Sequence, residues 1–445
     1  MLLRRKIDTF LKEWKENPDR LPLIVRGAQQ VGKTVSISTF AQRSYPNVIQ
    51  INFTLQKQYR EIFDEGFEVD TIIKNISLRD PSLRFIAHKT LIFFDELQDC
   101  VNCATSLKAF KLDGRYDVIC SGSMMGINYS EIESNSVGYK QDYELQSLDF
   151  EEYLWAKGYQ DDQIEDLFTH MVNVTPLSKI QLEVMFDNFK EYLVLGGMPA
   201  VVRSFVTNKH YGGTLQMQRQ ILADYEEDIT TYAGGLDKAK ILSVYRRIPV
   251  FLGRENKKFQ ITQVGRGARS REYVGVVEWL DSAAIVTICH CMREPELPLR
   301  GNYNPNNYKL YFRDTGLLVA SLDEEAQQDL RNNRNFNTYK GALFENIVSQ
   351  MLGQQGYPVY FYRDDKSSLK IDFLVRDAHT LVPIEVKANN GLSRSLQKMI
   401  ESPAYKDVQY GIKLGHTNIG RTDTFYTFPY FLTFLLKRFL RERSA

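Results

Sequence analysis

Net charge is almost absent from this chain. Its 445 residues hold 56 lysines and arginines against 55 aspartates and glutamates, a formal net charge of +1. That balance gives no argument for bulk attraction to nucleic acid or to anionic membranes and leaves local patches to act. Cysteine is scarce too. Five are present, an odd count with no disulfide framework. Cys100 and Cys103 form a CxxC, and Cys289 and Cys291 flank His290. A zinc reading requires both pairs to meet in space; reduced thiols near strand ends require nothing further. Long apolar runs are missing, so no segment is expected to span a bilayer. The opening stretch MLLRRKIDTFLKEWKENPDR is charged throughout and lacks the uninterrupted apolar region of a secretory signal. A cytoplasmic protein without a membrane partner is the expectation. Repeats at solenoid periods and low-complexity tracts are also missing. What remains is an ordinary globular composition, 43% hydrophobic and 25% charged. At about 100–200 residues per domain, the length suggests two to four domains.

The first informative stretch is LPLIVRGAQQVGKT, residues 21–34. It holds a complete Gly-x-x-x-x-Gly-Lys-Thr pattern from Gly27 to Thr34, after a compact apolar strand and before a segment able to open a helix. Gly27 and Gly32 let the backbone curl so that its N–H groups face a phosphate, and the helix N-terminus adds a favourable dipole. Lys33 is placed to reach the β and γ phosphates, and Thr34 to ligate magnesium. Ala28, Gln29, Gln30, Val31 and Val35 complete the nucleotide-binding stretch.

A second stretch, KTLIFFDELQDC, supports the first. Leu91 to Phe94 reads as a buried parallel strand. It delivers Asp95 and Glu96 to the carboxyl end, where open α/β sheets bind ligands. Asp95 is placed to hold magnesium and Glu96 to polarise an attacking water. NVIQINF and YDVICSGS read as further strands. Ser121 and Ser123 at the tip of the second either meet the γ-phosphate or attacking water, or simply form a turn. YELQSLDFEEYL supplies one more strand and a helix start. This rhythm predicts an α/β, doubly wound parallel sheet.

From Phe150 to about Ser204 the pattern is helical and suggests a lid or connector. Gly158 and Gly196-Gly197 stand at helix ends. Between about Met217 and Arg300, a helix, a short helix, a turn, a helix and a strand suggest a winged helix-turn-helix. Tyr273, Val277 and Leu280 keep helical spacing. Arg266, Arg269 and Arg271 stand where a recognition helix would begin and meet phosphates, unless they form a solvated face or a protein-docking wing. LDEEAQQDLRNNRNFN reads as a surface helix and loop.

The last third raises a different chemistry. LVPIEVKANN reads as a buried strand carrying Glu385 and Lys387 on one face. Alone, they are either a structural ion pair or half of a metal site. YFYRDDKSSLKIDFLVRD reads as two strands with Asp372 in the second, and YKGALFENIVSQML as a helix with Glu345 amid apolar residues. Carboxylates on adjacent strands, Asp372 and Glu385, offer the hard oxygen ligands of a second magnesium. Lys387 is placed to act on a metal-bound water. Acids in excess of one lysine leave negative charge for a divalent cation to neutralise. The tail FPYFLTFLLKRFLRERSA is either a membrane-surface helix or one packed on the last domain, with Pro429 at its start.

The chain resembles the prokaryotic AAA-type ATPases fused to a C-terminal domain of unknown function with a PD-(D/E)xK nuclease-like core. GAQQVGKT, LIFFDELQ, SGS, LGGMPAVV, YFRDTGLL, KGALFENIV, KIDFLV and PIEVKA carry the resemblance, which covers nearly the whole chain. It implies ATP binding and hydrolysis, with a winged helix before the nuclease-like core. By motif match, Gly32, Lys33 and Thr34 bind phosphate and magnesium, and Asp95 and Glu96 form the acid pair. Glu345, Asp372, Glu385 and Lys387 form the nuclease-like set. Two departures stand out: Gln29 replaces an arginine common in the loop, and Gly138 is followed by Tyr139 and Lys140 instead of an arginine.

The expected organisation is a P-loop ATPase domain over 1–150 and a helical connector over 151–215. A winged helix over 216–300 and a mixed α/β restriction-endonuclease-like domain over 301–445 follow. The expected function is a magnesium-dependent ATPase coupled to a nucleic-acid-binding or nuclease-like half. The alternative is a regulatory ATPase whose distal half is a non-catalytic protein-interaction module. ATP and Mg2+ are the cofactors. DNA, a protein partner and a second copy of the chain are the partners left open.

Overall fold

The computed structural model describes residues 1–125, 136–233, 236–254, 257–332, 334, 339–364, 367–387 and 393–444. The polar turn expected at 365–366, the end of the loop expected at 333–338 and the Ala388–Asn390 end of the strand stretch LVPIEVKANN lie wholly or partly outside them. The chain divides into two compact units, Leu2–Ser147 with Ser282–Ala284, and Leu148–Asp281 with Ile285–Ala445.

The first unit runs α1 (Lys6–Glu16), β1 (Leu23–Gly27), α2 (Lys33–Ser44), β2 (Asn47–Asn52), α3 (Val69–Arg79), β3 (Thr90–Asp95), α4 (Asn102–Asp113), β4 (Asp117–Ser123) and β5 (Gln141–Glu144). Among the described residues its strands form a five-stranded sheet in the order β2-β3-β4-β1-β5, every pair parallel. β3 is buried at every position, as a strand covered on both faces must be. Ile51, Phe53, Phe63, Phe94 and Phe110 build the core on one face. The order has a consequence: β4 lies between the strand that feeds the phosphate loop and the strand that carries the acids. At about 4.8 Å per strand, the loop and the acids stand roughly 10 Å apart, with the tip of β4 between them.

The second unit begins with helices α5 (Phe150–Lys157), α6 (Asp161–Val172), α7 (Lys179–Leu195), α8 (Pro199–Asn208), α9 (Thr214–Tyr232), α10 (Lys238–Leu252) and α11 (Val276–Ser282). Their ends follow local chemistry. Asp149 caps α5 by accepting from the Glu152 N–H, and Gly158 closes it at φ +102°. Pro199 opens α8. Next come β6 (Val286–Met292), β7 (Tyr303–Phe312), α12 (Thr315–Ala320), α13 (Ala326–Arg331) and α14 (Lys340–Gln354). The unit closes with β8 (Tyr360–Arg363), β9 (Lys370–Arg376), β10 (Leu381–Lys387), α15 (Arg394–Glu401), β11 (Gly411–Gly415), β12 (Gly420–Arg421), β13 (Phe425–Pro429) and α16 (Leu436–Ser444).

Among the described residues these strands form one mixed eight-stranded sheet, ordered β12-β13-β11-β10-β9-β8-β6-β7. The strand expected to follow the helices, β6, forms a hairpin with β7 at the sheet's edge and also pairs with β8. Position 300 falls inside that hairpin. The expected recognition helix is also interrupted. Gly275 at φ +80° breaks the spacing of Tyr273, Val277 and Leu280, leaving a 3-10 turn at Ser270–Tyr273 before α11. Arg269 precedes that turn and Arg271 lies in it.

Two motifs 120 residues apart meet inside this unit. The end of α7 at Leu195–Gly197 crosses the start of α12. A Cβ on Gly316 would lie 2.4 Å from the Gly196 nitrogen and the Leu195 carbonyl, and one on Gly197 2.0 Å from the Leu148 oxygen. Asp314 fixes the crossing: one carboxylate oxygen accepts from the Gly197 N–H at 2.8 Å, the other from the Leu317 N–H at 3.2 Å. From α14, Asn346 accepts from the Phe312 N–H and donates to its carbonyl. The unit's last elements return to its first. Asn418 bonds both backbone groups of Leu177, and Arg438 of α16 pairs with Glu165 of α6 and lies over Phe168. Phe431, Leu432, Phe434 and Leu435 of the tail are buried in this unit. Among the described residues no helix is long and apolar enough to cross a membrane.

Candidate functional site

The carboxyl ends of β1, β3 and β4 gather the first group of predicted residues. Gly27 ends β1 and leads into the loop. Its lack of a side chain answers to packing, since a Cβ would lie 2.1 Å from the Leu145 carbonyl oxygen. Gly32 has the other reason, a left-handed φ of +95° at the start of α2. Gln30 shares the left-handed region at φ +64°. Lys33 is buried. Its ammonium donates to the carbonyls of Gly27 and Ala28 at 3.2 and 2.8 Å, so the charge lies within the loop's own curve.

Asp95 is the hub. Thr34 Oγ1 stands 3.1 Å from both of its carboxylate oxygens, Ser121 Oγ donates to Oδ1, and Asn52 Nδ2 donates to Oδ2 at 3.1 Å. Thr34 thereby reaches Asp95 across the position of β4. A hydroxyl and a carboxylate converging on one point are the hard oxygen donors that magnesium takes, so these residues fit that ion. Ser121 therefore meets Asp95 directly. Glu96 follows at φ +62°, ψ +55°, and its carboxylate accepts from Gln98. Of the remaining predicted residues, Ala28 and Val31 are buried and Val35 is 57% exposed on α2.

Three participants escaped the sequence reading. Arg5, just before α1, donates to the carbonyls of Val31 and Gln146 at 2.9 and 2.6 Å and so braces the back of the loop. Asn52 ends β2 opposite Asp95 in the β2–β3 register, a signal that was readable. Gln98 stands in plain view two residues after Glu96.

In the second unit the predicted set divides into separate partnerships. Glu385 Oε1 pairs with Lys387 Nζ at 2.6 Å along one strand, and Glu385 Oε2 is buried without a hydrogen-bond partner. Asp372 Oδ2 accepts from the Val386 N–H at 2.9 Å. Glu345 on α14 is met by Lys257, by Lys309 at 3.2 Å and by the Tyr311 hydroxyl at 3.0 Å, all buried. Burial opposes ionisation of Glu345, but Lys309, Lys257 and Lys370 outweigh it and hold the carboxyl below its ordinary range. Asp372 moves upward, through burial first and then through the Glu345 charge.

The charge argument for a second magnesium is corrected here. Sequence proximity showed three carboxylates and one lysine. The fold adds Lys257, Lys309 and Lys370 to Lys387, so four ammoniums face three carboxylates. No excess negative charge remains for a divalent cation to neutralise. Among the described residues no group of three or more His, Cys, Asp or Glu side chains stands as a metal-ligand cluster. The five cysteines are buried free thiols, with Cys103 Sγ 4.0 Å from Cys120 Sγ.

Residues 19–154 match an AAA domain, residues 186–328 a domain of unknown function (DUF8612), and residues 340–432 another domain of unknown function (DUF4143). No curated protein matches the chain. Among solved structures it is similar to the Walker-type ATPase of Pyrococcus abyssi, at 14% identity, 72% of this chain, 96% of that one and a TM-score of 0.43. It is also similar to the Aeropyrum pernix ORC1 protein in complex with DNA, at 13% identity, 75% and 93% coverage and a TM-score of 0.28. AMPPCP-bound DnaA of Aquifex aeolicus follows at 16% identity, 61% and 85% coverage and a TM-score of 0.28.

Proposed function

We propose that this chain, whose residues 19–154 are an AAA-type ATPase domain, hydrolyses ATP with magnesium at the ends of β1, β3 and β4, and that its second unit is a non-cleaving binding module. The convergence of Thr34, Ser121 and Asn52 on Asp95 carries the first half. Gly27 to Val35 line the triphosphate, with Gln29 and Gln30 at the loop's turn. Lys33 meets the β and γ phosphates, exchanging loop carbonyls for phosphate oxygens. Thr34 and Asp95 would hold the magnesium, which neutralises phosphate charge when bound. Glu96 orients the water that attacks the γ-phosphorus. The bond from phosphorus to the ADP oxygen breaks, and the water's proton passes to solvent or phosphate.

The lysines around Glu345 support the second half. A nuclease-like arrangement whose acids are neutralised by Lys257, Lys309 and Lys370 keeps the scaffold without the metal charge that phosphodiester cleavage needs. The partner it binds is a protein or, through Arg266, Arg269 and Arg271, DNA.

Phosphate release from Mg-ATP tests the first half: Lys33→Ala is expected to abolish turnover, and a variant as active as wild type refutes the assignment. Incubation with single- and double-stranded DNA plus magnesium or manganese tests the second. No cleavage is expected; cleavage that disappears in Asp372→Ala refutes it. Fluorescence polarisation with both DNA forms at low salt, where phosphate contacts are strongest, separates a DNA partner from a protein one.

A further inference from the structure

We propose that Gln98 is a positioning residue of the ATPase site: its carboxamide ties the Glu96 carboxylate to the tip of β4 and so fixes where that carboxylate meets water. The inference rests on Glu96 as the water-orienting acid.

Gln98 Nε2 donates to Glu96 Oε2 at 2.6 Å, and Gln98 Oε1 accepts from the Ser123 N–H at 3.1 Å. A peptide N–H only donates, so the amide oxygen must face Ser123. The nitrogen must then face the carboxylate, which only accepts when ionised. The orientation of the side chain is therefore set by chemistry at both ends. The two neighbouring acids also have separate donors. Asp95 is held by Thr34, Ser121 and Asn52, whereas Glu96 is held by Gln98.

The backbone makes this separation necessary. β3 ends at Asp95, and Glu96 turns away in the left-handed region at φ +62°. A non-glycine residue stays there only when its surroundings hold it. Gln98 is itself anchored. It lies in a 3-10 turn, Leu97–Asp99, where Leu97 is 1% exposed, the Asp99 N–H donates to the Glu96 carbonyl and the Cys100 N–H to that of Leu97. At the far end, Ser123 stands opposite Gly27 in the β1–β4 register. The carboxamide thus links the acid to the strand position beside the first residue of the phosphate loop. Misplacing a reacting group by about 1 Å costs on the order of a hundredfold in rate, so a single side chain in this place is sufficient to matter.

Two substitutions in the full chain separate positioning from mere support of the strand tip. Gln98→Glu keeps an acceptor for the Ser123 N–H but turns a carboxylate toward Glu96. Gln98→Met removes both bonds at similar length. Positioning predicts that both lower kcat for Mg-ATP by about ten- to a hundredfold. It also predicts that KM for ATP and the Kd for a fluorescent ADP analogue stay within about twofold. Support of the tip alone predicts that Gln98→Glu stays near wild type. A Gln98→Glu kcat within about twofold of wild type overturns the inference, as does loss of ADP binding in both variants. A wild-type chain with no ATP turnover overturns the Glu96 reading itself, and the inference falls with it.

Discussion

Lysine decides what the acids of the second unit can do. Lys309 is 2% exposed and Glu345 5%, and each is the other's compensation for lost solvation. Glu345→Gln would leave Lys257 and Lys309 buried without their counter-charge. It is expected to destabilise the second unit by about 3–5 kcal/mol near neutrality, read by urea unfolding. The pH dependence follows from the direction of the shift. The folded carboxyl of Glu345 is held below its ordinary 4.5, so its contribution is present above that value and is lost as pH falls toward the folded one. The gap between wild type and Glu345→Gln is therefore expected to shrink in acid. A gap that widens below the ordinary value refutes the ion-pair account. The thiols illustrate the same control by burial in a simpler form: it is the leading reason Cys100 is pushed up to about 12, which leaves it a poor nucleophile.

At the scale of elements, glycine and aspartate make the crossing of α7 and α12. Only backbone atoms surround the missing Cβ of Gly316, so nothing there can yield. Gly316→Ala is expected to destabilise the second unit toward the upper end of about 1–3 kcal/mol while ADP binding persists; unchanged thermal stability refutes this. The crossing also explains what was legible. LGGMPAVV and YFRDTGLL stand out as separate motifs, but their union depends on a contact that no spacing rule reaches. The phosphate loop was readable because its parts are local: a strand, a turn and a helix start lie within fourteen residues. Asp95 and Glu96 were readable because a run of apolar residues delivers them. Lys309 was half legible, a charge inside the β7 sequence NNYKLYF, but its partner Glu345 lies 36 residues on. Lys257 gave no signal at all; its partner is 88 residues away. The break at Gly275 and the pairing of β6 with β8 were not legible, because neither follows from helical spacing.

For the whole molecule, the two compact units are expected to unfold in two events, of which only one carries the nucleotide loop. Mg-ADP at a hundred times its Kd is expected to stabilise that event by about 2.7 kcal/mol and to leave the other unmoved. A calorimetric scan in which both transitions move equally refutes independent melting. The return of the last elements onto the first matters in another way, during synthesis. The five-stranded sheet is complete once Glu144 has emerged, whereas α6 must wait for Arg438, 273 residues later. At about 5–20 residues per second that wait lasts roughly 15–55 s. Throughout it, Phe168 is translated but lacks the Arg438 side chain that will lie over it. The nascent chain therefore carries a complete five-stranded parallel sheet long before the last helix of the second unit exists to close onto α6.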